Sequence, residues 1–121
     1  MSTIILAIAM TWFGILSIPA PRNLPPVAVN DEVFVGGYTN YLEIPVFAND
    51  YDPEGQPIEV IALGTVYLGK AELLEGGAVG VSPVYPTDRD PDHYKPVLIA
   101  HGTYIISDGL LTSTGHWYVW H

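Results

Sequence analysis

The chain contains no cysteine. Disulfides, thiolate chemistry and cysteine-based zinc sites are thereby excluded, and a packed core must supply the stability. Positive charge is nearly as scarce. Lys70, Lys95, Arg22 and Arg89 stand against 13 acidic residues, giving a formal net charge of −9. A nucleic-acid surface needs clustered cations, and this sequence has none to offer. Binding to anionic lipid headgroups is disfavoured for the same reason. A cationic protein partner or a divalent cation is compatible with such a charge, which also keeps a domain soluble. Catalytic signatures are missing too. No Gly-x-Ser-x-Gly elbow and no glycine-rich phosphate loop ahead of a helix occurs, so the chain is expected not to be an enzyme.

What is present favours strands. Hydrophobic residues make up 49% of 121 residues, enough for one packed domain. Eight Tyr, with Val and Ile spread throughout, suit a pleated surface, while 11 Pro and 12 Gly interrupt the chain too often for long helices. Val27 to Val35 reads as a split first strand, bent at Asn30-Asp31. Tyr41 to Phe47 alternates, with Leu42, Ile44 and Val46 on one face and Pro45 marking an edge or a bulge. Ile58 to Leu63 is a further strand, Gly64 a turn, and Thr65 to Leu68 a continuation. Lys70 to Leu74 and Val79 to Val84 form a hairpin across Glu75-Gly76-Gly77. Val97 to Ala100 and Thr103 to Ile106 are strands broken at His101-Gly102, and Leu110 to Trp120 is the last. Short strands about ten residues apart predict an all-β, antiparallel sandwich of about seven strands over residues 27–121.

Ahead of it, residues 1–20 are apolar and 21–26 form a proline-rich linker. The apolar run, Thr3 to Ala20, has three readings. As an uncleaved membrane helix it would span roughly 27 Å, just short of a hydrocarbon core. As a cleaved signal peptide it lacks a basic n-region and a good small-x-small site. As a strand or helix inserted into a neighbouring subunit it would build filaments by strand addition.

Three pieces carry a family resemblance: Asn23-Leu-Pro-Pro-Val-Ala-Val-Asn-Asp31, Ala48-Asn-Asp-Tyr-Asp-Pro-Glu-Gly-Gln-Pro-Ile58, and Gly102-Thr-Tyr-Ile-Ile-Ser-Asp-Gly109. In order and approximate spacing they resemble the bacterial cadherin-like and immunoglobulin-like tandem repeats of large surface adhesins, over about residues 23–120. The resemblance implies a sandwich fold, attachment as the function, and calcium held between neighbouring repeats. The stretch 78–101 departs from the pattern and carries an acidic loop, Asp88 to Asp92. A single copy behind an apolar segment would fit an accessory subunit of a larger membrane assembly.

The best ligand candidates are Asp50, Asp52 and Glu54, alternating acids ahead of Gly55, with Asp31 and Asp108 as helpers. Oxygen ligands on one side of a tight turn suit Ca²⁺. The twelfth position of an EF-hand loop would be Ile61, so the loop is not an EF-hand. The competing reading is a local Asx-type turn in which Asn49 and Asp50 bond nearby backbone N–H groups. Asp88, Asp90 and Asp92 also alternate, around Arg89 and before His93, and read as a solvated loop, a cation site or a salt-bridged partner contact. His93, His101, His116 and His121 lack metal-ligand spacing, although His101 and His116 come together if their strands pair. In Trp117-Tyr-Val-Trp120, alternation puts Trp117 and Val119 on one face and Tyr118 and Trp120 on the other. Trp117, Tyr118 and Trp120 are the candidate contact residues, either for a protein partner or for a membrane interface.

The expectation is therefore a non-enzymatic, membrane-tethered interaction module, periplasmic or extracellular, serving as a structural subunit of a larger assembly. A filament subunit and a calcium-dependent adhesive module are the alternatives.

Overall fold

In the computed structural model, which describes residues 22–87 and 95–121, every regular element is a strand. The N-terminal segment 1–20 and the loop residues Asp88, Asp90, Asp92 and His93 lie outside the described residues. The seven strands are β1 (Asp31–Phe34), β2 (Leu42–Ile44), β3 (Glu59–Leu68), β4 (Lys70–Leu73), β5 (Val79–Ser82), β6 (Leu98–Ser107) and β7 (Thr112–Trp120). Among the described residues no helix is long and apolar enough to cross a membrane.

They form two sheets, a four-stranded one in the order β1-β7-β6-β3 and a three-stranded one in the order β2-β5-β4. The arrangement is that of a β-sandwich, with one departure from the antiparallel expectation. β1 runs parallel to β7, in the register Asp31–Trp117 to Phe34–Trp120. The split first strand explains it. Val27 makes an isolated bridge to Tyr51, and only after the bend at Asn30 does the chain reach the edge of the larger sheet.

The two inner faces share one core. Ile44, Val46, Val79 and Val81 come from the smaller sheet and its flank. Val60, Ile99, Tyr104, Ile106, Trp117 and Val119 come from the larger one, and all ten are buried. The alternation expected for Leu42, Ile44 and Val46 faces this core, although the strand ends at Ile44 and Val46 lies in the turn that follows. The β4–β5 hairpin turns across Gly76 and Gly77, both at positive φ (93° and 94°), a conformation that costs glycine alone nothing.

Two expected breaks do not exist. β3 runs straight through Gly64, and β6 through His101-Gly102. These glycines mark close approach rather than turns. A Cβ on Gly64 would collide with the Thr103 hydroxyl, and one on Gly102 with the Trp117 ring. β3 takes up the irregularity as register shifts against β6 between Val60 and Leu68. Thr103 closes the gap there. Its hydroxyl accepts the Thr65 N–H at 2.8 Å and lies 3.3 Å from the Thr65 carbonyl.

Candidate functional site

At one end of the sandwich, the loop after β2 meets the β6–β7 turn. Asp52 is 9% exposed and anchors the first loop. Its Oδ2 accepts the backbone N–H groups of Glu54 (2.9 Å) and Gln56 (3.0 Å), while the Asp52 carbonyl accepts Gly55 N–H at 2.9 Å. The Asx-type turn is thus real, but Asp52 makes it rather than Asn49 or Asp50. Asp108 builds the facing turn in the same way. Its Oδ1 accepts N–H from Leu110 and Leu111, both at 2.8 Å, and its Oδ2 accepts the Asn23 amide at 2.8 Å. The Leu111 and Leu110 N–H groups hold the Asp108 carboxyl below its usual range.

The two turns bring Asp52, Glu54 and Asp108 together, each offering a carboxylate oxygen within 4.8 Å of the others. Oxygens bound to one Ca²⁺ lie about 2.3–2.6 Å from it, so such a spread fits a shared ion. Two further acceptors are buried without partners, Asp52 Oδ1 and Gln56 Oε1. A buried carboxylate oxygen with nothing donating to it is costly, and a hard cation is one species that would satisfy it. An all-oxygen donor set selects calcium or magnesium over the softer transition metals.

Asp50 is not part of this group. Its Oδ1 accepts the Val29 N–H at 2.7 Å, and its Oδ2 accepts the Tyr104 hydroxyl at 2.7 Å. Asp31 belongs to that second cluster. Burial, then the charge of Asp50, raise its pKa to about 6, while hydrogen bonding by Tyr104 and Asn49 partly offsets the rise. Tyr104 is fully buried, and burial together with its bond to Asp50 pushes its hydroxyl far above the usual phenol range. The cluster ties the first segment of the chain to β6, and its role is structural.

The other candidates sit on the outer face of the four-stranded sheet. His101 lies between two phenols, 4.3 Å from the Tyr118 ring and 4.8 Å from the Tyr67 ring, centroid to centroid. His101 Nε2 and His116 Nδ1 are 3.2 Å apart, with ring centroids at 5.5 Å, so the imidazoles meet end to end through a shared N–H···N bond. Burial, then His116, lower the pKa of His101. Next in line, Trp120 stacks on Phe34 at 6.4 Å, and its indole N–H donates to Glu32 Oε1 at 3.1 Å. His121 lies apart, its ring 5.1 Å from those of Tyr38 and Tyr85. Trp117 requires a correction. It points inward and is wholly buried, so it cannot be a contact residue; alternation separates it from Tyr118 and Trp120 but does not say which face is inner.

Asp108, expected as a helper, does join the acidic loop, whereas Asp31 does not, and Gln56 could be attached to it only through the fold. Phe34 and Tyr67 carried no signal beyond alternation, and they now stand 66% and 62% exposed beside the terminal aromatics. No protein-family model matches this chain, and neither a curated protein nor a solved structure does.

Proposed function

We propose that this chain is a non-catalytic interaction module of cadherin-like or immunoglobulin-like type, tethered outside the cytoplasm by its apolar N-terminal segment and docking to a larger protein assembly. The observation that carries this reading is the outer face of the four-stranded sheet. Tyr67, His101, His116, Tyr118, Trp120 and Phe34 form a band of rings there, while the domain's own core is filled from the opposite face. Large aromatics turned away from a complete core are the chemistry of protein contacts. The test is a photo-crosslinking residue placed at Tyr118 in the full chain, in its native membranes. One discrete heteromeric adduct is expected, lost when the probe is moved to the inward position Val119. No adduct, or only adducts to lipid, overturns the reading.

A second reading, a calcium-dependent adhesive module, is favoured by the unpartnered Asp52 Oδ1 beside Glu54 and Asp108. Millimolar Ca²⁺ should raise the melting temperature through those three carboxylates. The absence of any shift removes it.

A further inference from the structure

We infer that the groove over Trp120 receives a single arginine side chain from a protein partner. The inference rests on the reading of the outer face as a docking surface, and it names what docks. The groove is open, about 380 Å³, and is lined by Glu32, Phe34, Lys95, Pro96 and Trp120. Its walls are mostly hydrocarbon and ring, with one carboxylate, Glu32, and one ammonium, Lys95. That carboxylate is fixed in place: the Trp120 indole N–H holds Glu32 Oε1 at 3.1 Å. Among the described residues nothing donates to Glu32 Oε2.

A cation is the complement of an aromatic face beside a carboxylate. Trp binds cations over its ring better than Tyr or Phe does. A guanidinium adds a flat surface that stacks on indole and a fork of donors that matches a carboxylate, which an ammonium lacks. The whole chain supports the sign, with a net charge of −9 drawing basic partners towards it. Lys95, on the groove's lining, narrows the class further. It opposes any cation in the groove, so Glu32 can pair with at most one, which excludes a run of basic residues and leaves an arginine whose neighbours are neutral or acidic. Phe34 belongs to the edge strand β1 and is 66% exposed, so the groove is open to an approaching chain from the sheet's edge.

The probes are N-acetyl-arginine amide, N-acetyl-lysine amide and N-acetyl-glutamine amide, titrated into the full chain in mild detergent. The readout is the Trp120 indole N–H resonance in NMR, assigned by its loss in Trp120→Phe, with the buried Trp117 resonance reporting an intact fold. The arginine compound should move the Trp120 resonance at millimolar concentration, at least threefold more tightly than the lysine compound, and the glutamine compound should not move it. In Glu32→Gln the arginine affinity should fall about tenfold. No response to arginine, an equal response to glutamine, or an arginine affinity unchanged in Glu32→Gln overturns the inference. If the Tyr118 adduct forms while arginine does not bind, only the partner class is wrong. If both fail, the docking face itself is wrong.

Discussion

Gly102 and Trp117 are cross-strand partners in the β6–β7 ladder, and the glycine's missing side chain is the space the indole occupies. Two residues along, the relation is reversed: Tyr104 on β6 faces Gly115 on β7, and a Cβ on Gly115 would collide with the Tyr104 ring. Each strand lends the other a gap, and the two largest fully buried side chains lie across the two gaps. Gly102→Ala and Gly115→Ala are therefore expected to destabilise by about 1–3 kcal/mol each through overpacking. Denaturant unfolding measures this, and a change below about 0.5 kcal/mol would contradict it.

Truncating the indole should cost more. Trp117→Ala opens a cavity in the shared core and is expected to cost about 3–5 kcal/mol. Trp117→Phe should be milder because it keeps a ring in the core and leaves a smaller cavity. The Trp117 indole N–H is buried without an acceptor, and Phe removes that unpaired donor along with part of the ring. Equal losses for the two variants would contradict the cavity argument.

Stability should fall as the solution leaves acid. Asp31 has a folded pKa near 6 against an ordinary 3.8, so folding favours its protonated form. Its contribution is complete below about pH 3.8 and is lost as the pH rises through 6. Solvent screening of a half-exposed group limits the effect to about 1–2 kcal/mol. Asp31→Asn should flatten the stability profile between pH 4 and 7 and equal or exceed the wild type at pH 7. An unchanged slope in that variant would assign the effect elsewhere.

His101 acts in the opposite sense. Its lowered pKa means that the fold prefers the neutral ring, so its contribution is present above pH 6.5 and is given up as the pH falls below that value. In ring-proton NMR its midpoint should lie below 6.5 and rise in His116→Asn, since His116 is the second cause of the shift and the end-to-end partner at 3.2 Å. Tyr67 and Tyr118 flank His101 through ring contacts. A midpoint unmoved by His116→Asn would refute the coupling.

For the acidic end, Asp108→Asn should remove most of a Ca²⁺-induced rise in melting temperature, and Asp50→Asn should leave the rise in place. Asp50 serves Val29 and Tyr104 instead. The reverse pattern in calorimetry would restore the grouping of Asp50 with Asp52 and Glu54.

Local patterns in the sequence carried the strands well where one face had to be buried. The alternation through Leu42, Ile44 and Val46 and the Gly76-Gly77 hairpin both appear in the fold. They failed where a glycine answered a distant neighbour. Gly64 and Gly102 look like turns in a window of ten residues, because the reason for them, Thr103 in one case and Trp117 in the other, sits on another strand. The acidic site shows the same limit. Asp52 and Glu54 were legible from spacing and Asp108 as a helper, but spacing could not tell Asp108, which joins them, from Asp50 and Asp31, which turn to Tyr104 instead. The alternation of Trp117 and Tyr118 separated two faces and could not rank them, since both carry aromatics.

The parallel pairing of β1 with β7 has a mechanical consequence. Chain entering β1 leaves the sheet at one pole, and chain following β7 leaves at the other. A load applied between Val29 and His121 would pull these two strands along their length, so the bonds joining Asp31–Phe34 to Trp117–Trp120 must shear together instead of unzipping one by one. This edge is where such tension along the chain would be resisted.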